Sequence, residues 1–354
     1  MDSIRREIAE SGPIPFERFM ELSLYGADGF FTGPTLRSQK SGDFLTSPEV
    51  SPLFGETIAS FVGSEHDRVG DPFAVVEVGA GSGSLLHPLL DAPVIAGHNF
   101  DAWAVEVSPA ARAALSLILK RDRIVGNLEQ LPEPIRGVVI ANELIDNLPM
   151  AIAQLSEAGW RERWVGLDGE GLTFVDAAPR PEVLEWLDKY SGPVPAGGWV
   201  EVQLQAEAWL RRVLSRLVAG ALLVVDYGDT AEDLAPRRSS GTLRTYRSHH
   251  LGPDPLDEPG ATDITADVNF SALLATAGEA GAEVTFSRQD EFLTTWGLRE
   301  RLSRLRRREL ELSRTGDETQ RLVERSRRIE AETLLHPRGL GDFRVMVARV
   351  KSRD

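Results

Sequence analysis

The chain reads as an α/β protein built on a mostly parallel sheet, and two observations carry that reading. Short β-branched or apolar runs alternate with longer amphipathic segments, the pattern of strands and helices taking turns. The first such run ends in a glycine-rich turn, Gly79-Ala80-Gly81-Ser82-Gly83, that feeds a helical segment starting near Ser84. Candidate strands are 74–78 (AVVEV), 101–107 (DAWAVEV), 123–126, 138–141 (VVIA), 221–226 (ALLVVD), 283–287 and 343–350 (FRVMVARV), seven in all. Helices are expected over 85–90, 109–120, 201–218 and 267–280. Gly220 and Gly281 stand where a helix would close before the next strand.

Some segments fall outside the alternation. Residues 1–70 form an N-terminal extension, with a short helix over 15–24 and then a Gly/Pro/Ser-rich loop over 26–52 that is too long to be idle. The remaining core, 71–354, carries inserts at 150–200, 229–262 and 290–337. In the first insert, 152–155, 162–166 and 172–175 read as a small meander turning at Gly159, Asp168 and Gly169, a lid or a substrate platform. In the last, Leu298, Leu302 and Leu305 have helical spacing beside an Arg-rich run, but Glu300, Glu309 and Glu311 interrupt it. A solvated amphipathic helix is expected there.

Composition excludes several function classes. The absence of cysteine removes disulfides, thiolate catalysis and cysteine-ligated metals. Six histidines show no spacing such as H-E-x-x-H, so no metal site is expected. A net charge of −15, from 39 basic and 54 acidic residues, argues against a nucleic-acid surface and suits a cationic partner. No run approaches the ~18–20 apolar residues of a membrane span. The N-terminus mixes acids and bases without the apolar core of a secretory signal. A cytoplasmic location is expected.

The glycine turn is the most informative short motif. Glycines at alternate positions let the backbone approach a ligand closely, and the following helix offers free N–H groups. A dinucleotide fold would show G-x-G-x-x-G. Here the third glycine is Gly83, position 84 is serine, and Glu77 stands two before Gly79. An acid two residues before G-x-G-x-G fits S-adenosylmethionine (SAM), whose cationic sulfur and zwitterionic end give a strand-end carboxylate something to pair with. Glu106 ends the next strand, where a carboxylate can accept from both ribose hydroxyls. After the fourth strand comes Asn142-Glu143-Leu144-Ile145-Asp146-Asn147-Leu148-Pro149. If that segment is helical, Glu143 and Asp146 share one face.

Together these motifs resemble one family. The run Gly42-Asp43-Phe44-Leu45-Thr46-Ser47-Pro48-Glu49-Val50-Ser51-Pro52-Leu53-Phe54-Gly55-Glu56 is similar to the G-D-F-x-T-x-P-E-x-S-x-x-F-G-E signature of the MidA/NDUFAF7 (DUF185) methyltransferases. The glycine turn, Asn142-Glu143-x-x-Asp146-x-Leu148-Pro149, Asp226-Tyr227-Gly228, Gly241-Thr242-Leu243-Arg244 with His249, Asp263 to Phe270, and Gln289-x-x-Phe292-Leu293 follow in the family's order. One departure is Asn269, where the family usually has aspartate. The resemblance implies a class I, Rossmann-like SAM-methyltransferase core with a seven-stranded sheet. It also implies a protein partner presenting an arginine, since the mitochondrial member methylates an arginine of a complex I subunit during assembly. A respiratory-complex subunit is therefore one candidate partner.

An enzyme that methylates arginine must orient a protonated, delocalised guanidinium and accept a proton, and carboxylates do both. Glu143 and Asp146, with Asn142, are the core-side catalytic candidates, and Asp43 and Glu49 those from the N-terminal loop, where they can instead hold the loop together. Glu77, Gly79, Gly81, Gly83 and Glu106 are the cofactor candidates, joined by Asn127 and Leu128 after the third strand. Gly42, Phe44 and Thr46 are expected to cover the cofactor and exclude water. Tyr227, Arg244 and His249 are the substrate candidates. Methylation of a small molecule and a non-catalytic assembly role are the competing readings, and the inserts suit either a homodimer or a clamp on a partner.

Overall fold

The computed structural model describes residues 2–33, 46–169, 171–247 and 250–351. At its centre lies a sheet of β1 (Phe73–Val78), β2 (Phe100–Val105), β3 (Ile124–Val125), β4 (Ile135–Asn142), β5 (Leu217–Asp226), β6 (Glu283–Arg288) and β7 (Arg344–Val350). Their order is β6-β7-β5-β4-β1-β2-β3. Strands β1 to β5 pair in parallel, and β7 lies antiparallel between β5 and β6. All seven strands expected from the sequence are present.

β1, β4 and β5 are covered on both faces, which is why they read as unbroken apolar runs. Val75, Val138, Ile140, Leu223 and Val347 pack against helices Leu53–Val69, Leu86–Leu90 and Gln289–Thr295. Their neighbours Val76, Val139, Leu222, Val224 and Met346 face helices Leu204–Arg216 and Phe270–Glu279. Gly220 is no helix terminus. The preceding helix stops at Arg216 and β5 is already under way. At φ 124°, a Cβ on Gly220 would lie 1.7 Å from the Gly137 carbonyl oxygen, so contact between β5 and β4 requires the glycine. Gly281, at φ 79°, does follow a helix, the one ending at Glu279.

A second, antiparallel sheet is formed by Ala151–Ser156, Gly159–Asp168, Gly171–Ala177 and Trp199–Val202. The two-residue strand Ile14–Pro15 joins its edge, Ile14 opposite Val165. Helices Asp2–Ser11 and Phe16–Tyr25 pack onto this sheet through Ile4, Ile8, Phe16, Phe19, Ile152 and Val165. The N-terminal helices and the meander thus share one core. Helices Leu298–Thr315 and Glu318–Glu332 pack against each other. Among the described residues, no helix is long and apolar enough to cross a membrane.

Candidate active site

The chain builds outward from β1 to β3 and then crosses to β4 on the other side of β1. In open α/β sheets, the crevice for ligands lies at this switch point, outside the carboxyl ends of the strands. A cavity opens there, with about 820 Å³ of empty space when its open mouth is included. Its described walls are Tyr25, Phe31, Thr46 and Pro48 from the N-terminal segment, Glu77, Gly79, Ala80, Gly81 and Ser84 from the end of β1 and the turn after it, Glu106 to Ser108 with Ala111 after β2, and Asn142 to Leu144 with Asn147 at and after the end of β4. Three carboxylates line it, and no lysine or arginine does among the described residues.

The glycine turn shapes one wall. Gly79, Gly81 and Gly83 have φ of 71°, 52° and 82°, values that side-chain-bearing residues rarely adopt. Gly79 presses against Leu144, whose Cδ1 would lie 2.9 Å from an added Cβ. Gly83 is glycine for a different reason: an added Cβ would strike Ile118 Cδ1 at 2.4 Å, so it serves helix packing and lies outside the cavity walls. Glu106 ties the turn down, accepting the Gly81 N–H at 2.8 Å on one oxygen and the Ser108 N–H at 2.7 Å on the other. Each oxygen keeps a second lone pair for a ligand. Glu77 is buried, and its Oε2 has no hydrogen-bond partner. Burial, reinforced by nearby Glu106, pushes its pKa well up. An orphaned buried carboxylate oxygen beside a glycine cradle fits a cationic or N–H-bearing ligand, as SAM is.

Glu143 has φ 49° and is the sole residue other than glycine with positive φ among those described. Such strain persists only where the surroundings over-determine it. Its N–H donates to the Val225 carbonyl at 2.8 Å, and Asp226 accepts the next three backbone N–H groups on Oδ2, from Leu144 at 3.2 Å, Ile145 at 2.9 Å and Asp146 at 3.4 Å. This turn aims the Glu143 side chain into the cavity. There Oε1 accepts from the Ser47 N–H at 3.0 Å and from Asn142 Nδ2 at 3.3 Å. Burial pushes its pKa up to about 8, with Asp146 and Glu49 adding to the rise and the Ser47 bond opposing it. Asn142 keeps a buried Oδ1 without a partner.

Asp146 departs from the shared helical face with Glu143. Only a short 3₁₀ turn, Ile145–Asn147, forms here. It sends Asp146 away from the cavity walls to Thr265 Oγ1, at 2.7 Å, and to the Tyr227 hydroxyl, both donating to its Oδ2. Tyr227 therefore sits behind Asp146 rather than among the cavity's walls. Arg244 pairs with Asp267 at 2.7 Å and is likewise outside the walls. Glu49 closes the start of helix Ser47–Val50, its Oε2 accepting the Thr46 N–H at 3.2 Å, while Thr46 itself lines the cavity. Asn127 caps a 3₁₀ turn by accepting the Gln130 N–H, and Leu128 is packed in the core beneath it. Neither reaches the cavity walls. Gly42, Asp43, Phe44 and His249 lie outside the described residues.

The sequence reading missed Tyr25 and Phe31, stacked at 5.6 Å on the cavity's outer wall, and the roles of Ser47 and Asp226. The signal for the first two was an aromatic pair flanking a glycine-rich bend, Tyr25-Gly26-Ala27-Asp28-Gly29-Phe30-Phe31. A second groove, lined by Glu17, Arg18, Arg180, Arg212, Leu148 and Trp209 among others, shares Tyr25 with the cavity's lining.

This strand order, with a glycine turn after β1 and acids after β1, β2 and β4, defines a class I SAM-methyltransferase fold. The family model described as "Putative S-adenosyl-L-methionine-dependent methyltransferase" matches residues 57–287, and the chain belongs to that family. It is 29% identical over 334 residues to the human mitochondrial protein arginine methyltransferase NDUFAF7, covering 84% of this chain and 73% of the human one. It is 28% identical to the Drosophila melanogaster homologue, covering 76% of this chain and 68% of that protein. A COG1565 superfamily member from Burkholderia thailandensis, crystallised with S-adenosyl-homocysteine, superposes with a TM-score of 0.88 at 30% identity, covering 100% of this chain and 92% of its own.

Proposed function

We propose that this protein transfers a methyl group from SAM to an arginine side chain of a protein partner. The observation that carries the proposal is Glu143, a carboxylate held in a strained backbone, enclosed at the cavity and without a cationic partner among the described residues. Enclosed carboxylates without countercharge favour a cationic ligand, and a guanidinium meets one in a forked pair.

When bound, SAM supplies a methyl group on a cationic sulfur. Glu77 and the backbone of Gly79 and Gly81 would hold it, with Glu106 offering its remaining lone pairs. Glu143 would orient the guanidinium and take the proton that the newly methylated nitrogen must lose. With a pKa raised to about 8, it gains its proton-accepting form as the pH rises towards that value. Asp146, backed by Tyr227 and Thr265, would add negative charge behind it. Tyr25 and Phe31 would shut water out at the mouth, and the groove beyond Tyr25 suits an extended peptide better than a small free molecule. The acidic chain fits a cytoplasmic enzyme, and a respiratory-complex subunit is the partner class the NDUFAF7 relatives point to.

The test is incubation with methyl-labelled SAM and a lysate lacking this protein, followed by mass spectrometry. Label on a protein arginine, lost with Glu143→Gln, supports the proposal; label confined to metabolites overturns the arginine assignment. Calorimetry showing no SAM binding would leave a non-catalytic assembly role.

A further inference from the structure

At the opposite, amino end of the strands, where β1 and β2 begin, lies a cluster that the transfer reaction does not use. His66 and Asp67 sit in the last turn of helix Leu53–Val69, Asp71 follows that helix, and His98 precedes β2. Potential ligand atoms of His66, Asp67 and His98 all lie within 4.8 Å of one another. His66 Nε2 is 3.0 Å from Asp71 Oδ1, and His98 Nε2 is 3.4 Å from Asp67 Oδ1.

We propose that His66, His98 and Asp67 form a binding site for a zinc-class divalent cation, with Asp71, already held against His66, as a further carboxylate within reach. Two imidazoles with two carboxylates are a donor set for such ions. Bonds of roughly 2.0–2.1 Å in a tetrahedral site place neighbouring ligand atoms about 3.3 Å apart, close to both separations found. The rings are already oriented. His98 stacks on Phe100 at 5.5 Å and 3°, and His66 packs edge-on to the same ring at 5.5 Å and against Phe73 at 5.1 Å. Phe73 and Phe100 are themselves paired across β1 and β2. The imidazoles are mostly covered, with side-chain exposures of 14% and 22%, while Asp67 and Asp71 are 77% and 63% exposed and free to close over an ion. The carboxyl end of a long helix adds partial negative charge at the same point.

The histidines stand on different elements, so local spacing could not reveal them. One feature sets the strength: His98 Nδ1 is buried with no acceptor behind it. Lack of such support typically costs a ligating histidine about 10–100-fold in affinity, so the site should bind in the micromolar range. A bound ion would clamp the end of helix Leu53–Val69 to the start of β1 and β2. The beginning of that helix adjoins Ser47–Val50 at the active-site cavity.

The experiment is titration of the full chain with Zn²⁺ alone, by calorimetry and equilibrium dialysis at pH 7.5. One equivalent at micromolar Kd is expected, with a rise in Tm of about 3–4 °C when Zn²⁺ stands at 100-fold over Kd. Asp67→Asn/Asp71→Asn, two exposed changes that leave the aromatic packing alone, should weaken binding at least tenfold, and so should His66→Ala and His98→Ala. His87→Ala/His336→Ala, at described histidines outside the cluster, should bind as the parent does. No saturable binding below millimolar Zn²⁺, or binding unchanged in the double aspartate variant, would overturn the site.

Discussion

Asp226, the last residue of β5, accepts the backbone N–H of Ile145 at 2.9 Å, and with it those of Leu144 and Asp146. One side chain thereby fixes the turn that puts Glu143 at φ 49°. Asp226 is fully buried, and burial beside Asp146 and Glu143 pushes its pKa well up. Its neutral form is therefore favoured, and an asparagine oxygen can accept the three bonds made by Oδ2, losing only the Tyr227 N–H that Oδ1 accepts at 3.0 Å. Asp226→Asn should fold and keep SAM binding within about threefold. Asp226→Ala strands four N–H groups, that of Tyr227 on Oδ1 included, at roughly 1 kcal/mol each, a loss of ~3–5 kcal/mol. Urea denaturation of the two variants checks the contrast.

Glu143 makes activity and stability depend on pH in opposite directions. If its carboxylate receives the guanidinium proton, kcat/KM should rise about tenfold per pH unit up to about 8 and then level. Glu143→Gln should lose the rate and the limb together. For stability the native pKa, about 8, lies above the ordinary carboxylate value of 4.5 that the unfolded chain keeps. Between those values the native state holds a proton that the unfolded chain has released, so raising the pH weakens the fold. Glu77 and Asp226, whose pKa values are also raised, act in the same sense. The urea midpoint of the ligand-free protein should therefore fall from pH 6 to pH 9. A midpoint that climbs over this window would refute the assignment.

The core strands were legible because central strands of a parallel sheet are apolar on both faces, and Glu143 because its place after β4 follows from sheet order. Asp146 does not share a face with Glu143, for a local reason. Spacing puts it on one face with Glu143 only in a helix, and the carboxylate of Asp226, distant in sequence, imposes a different turn. Gly220 looked like a helix cap since a glycine before an apolar run has that signature; the close approach of Gly137 is a tertiary fact that no window of sequence contains. Tyr25 and Phe31 reach the cavity only because the N-terminal helices pack on the meander. For Arg244, a substrate candidate from its motif, only the fold brings Asp267 beside it.

Glu77 offers a way to separate binding from folding. Its pKa is pushed well up, so glutamine mimics the neutral side chain of the ligand-free protein, and Glu77→Gln should change Tm by no more than a degree or two. A cationic ligand would favour the ionised carboxylate, an interaction worth about 1.5–3 kcal/mol. SAM affinity should then fall about 10–150-fold. Calorimetry on the two proteins measures it, and equal affinities would remove Glu77 from the cofactor site.

Two glycines with opposite surroundings test the packing argument. Gly137 lies in β4 at φ 146°, and an added Cβ would sit 1.9 Å from the Ala74 carbonyl oxygen on β1. No side-chain movement can relieve a clash with backbone in a central pair of strands, so Gly137→Ala should fail to give soluble protein. Gly278 lies in helix Phe270–Glu279 with nothing within 4 Å of an added Cβ. There alanine lowers the entropy of the unfolded chain and suits the helix, so Gly278→Ala should raise stability by about 0.5–1 kcal/mol. Expression yield and urea midpoints decide the pair. A soluble, stable Gly137→Ala would mean that β1 and β4 are not in the register on which the position of Glu143 depends.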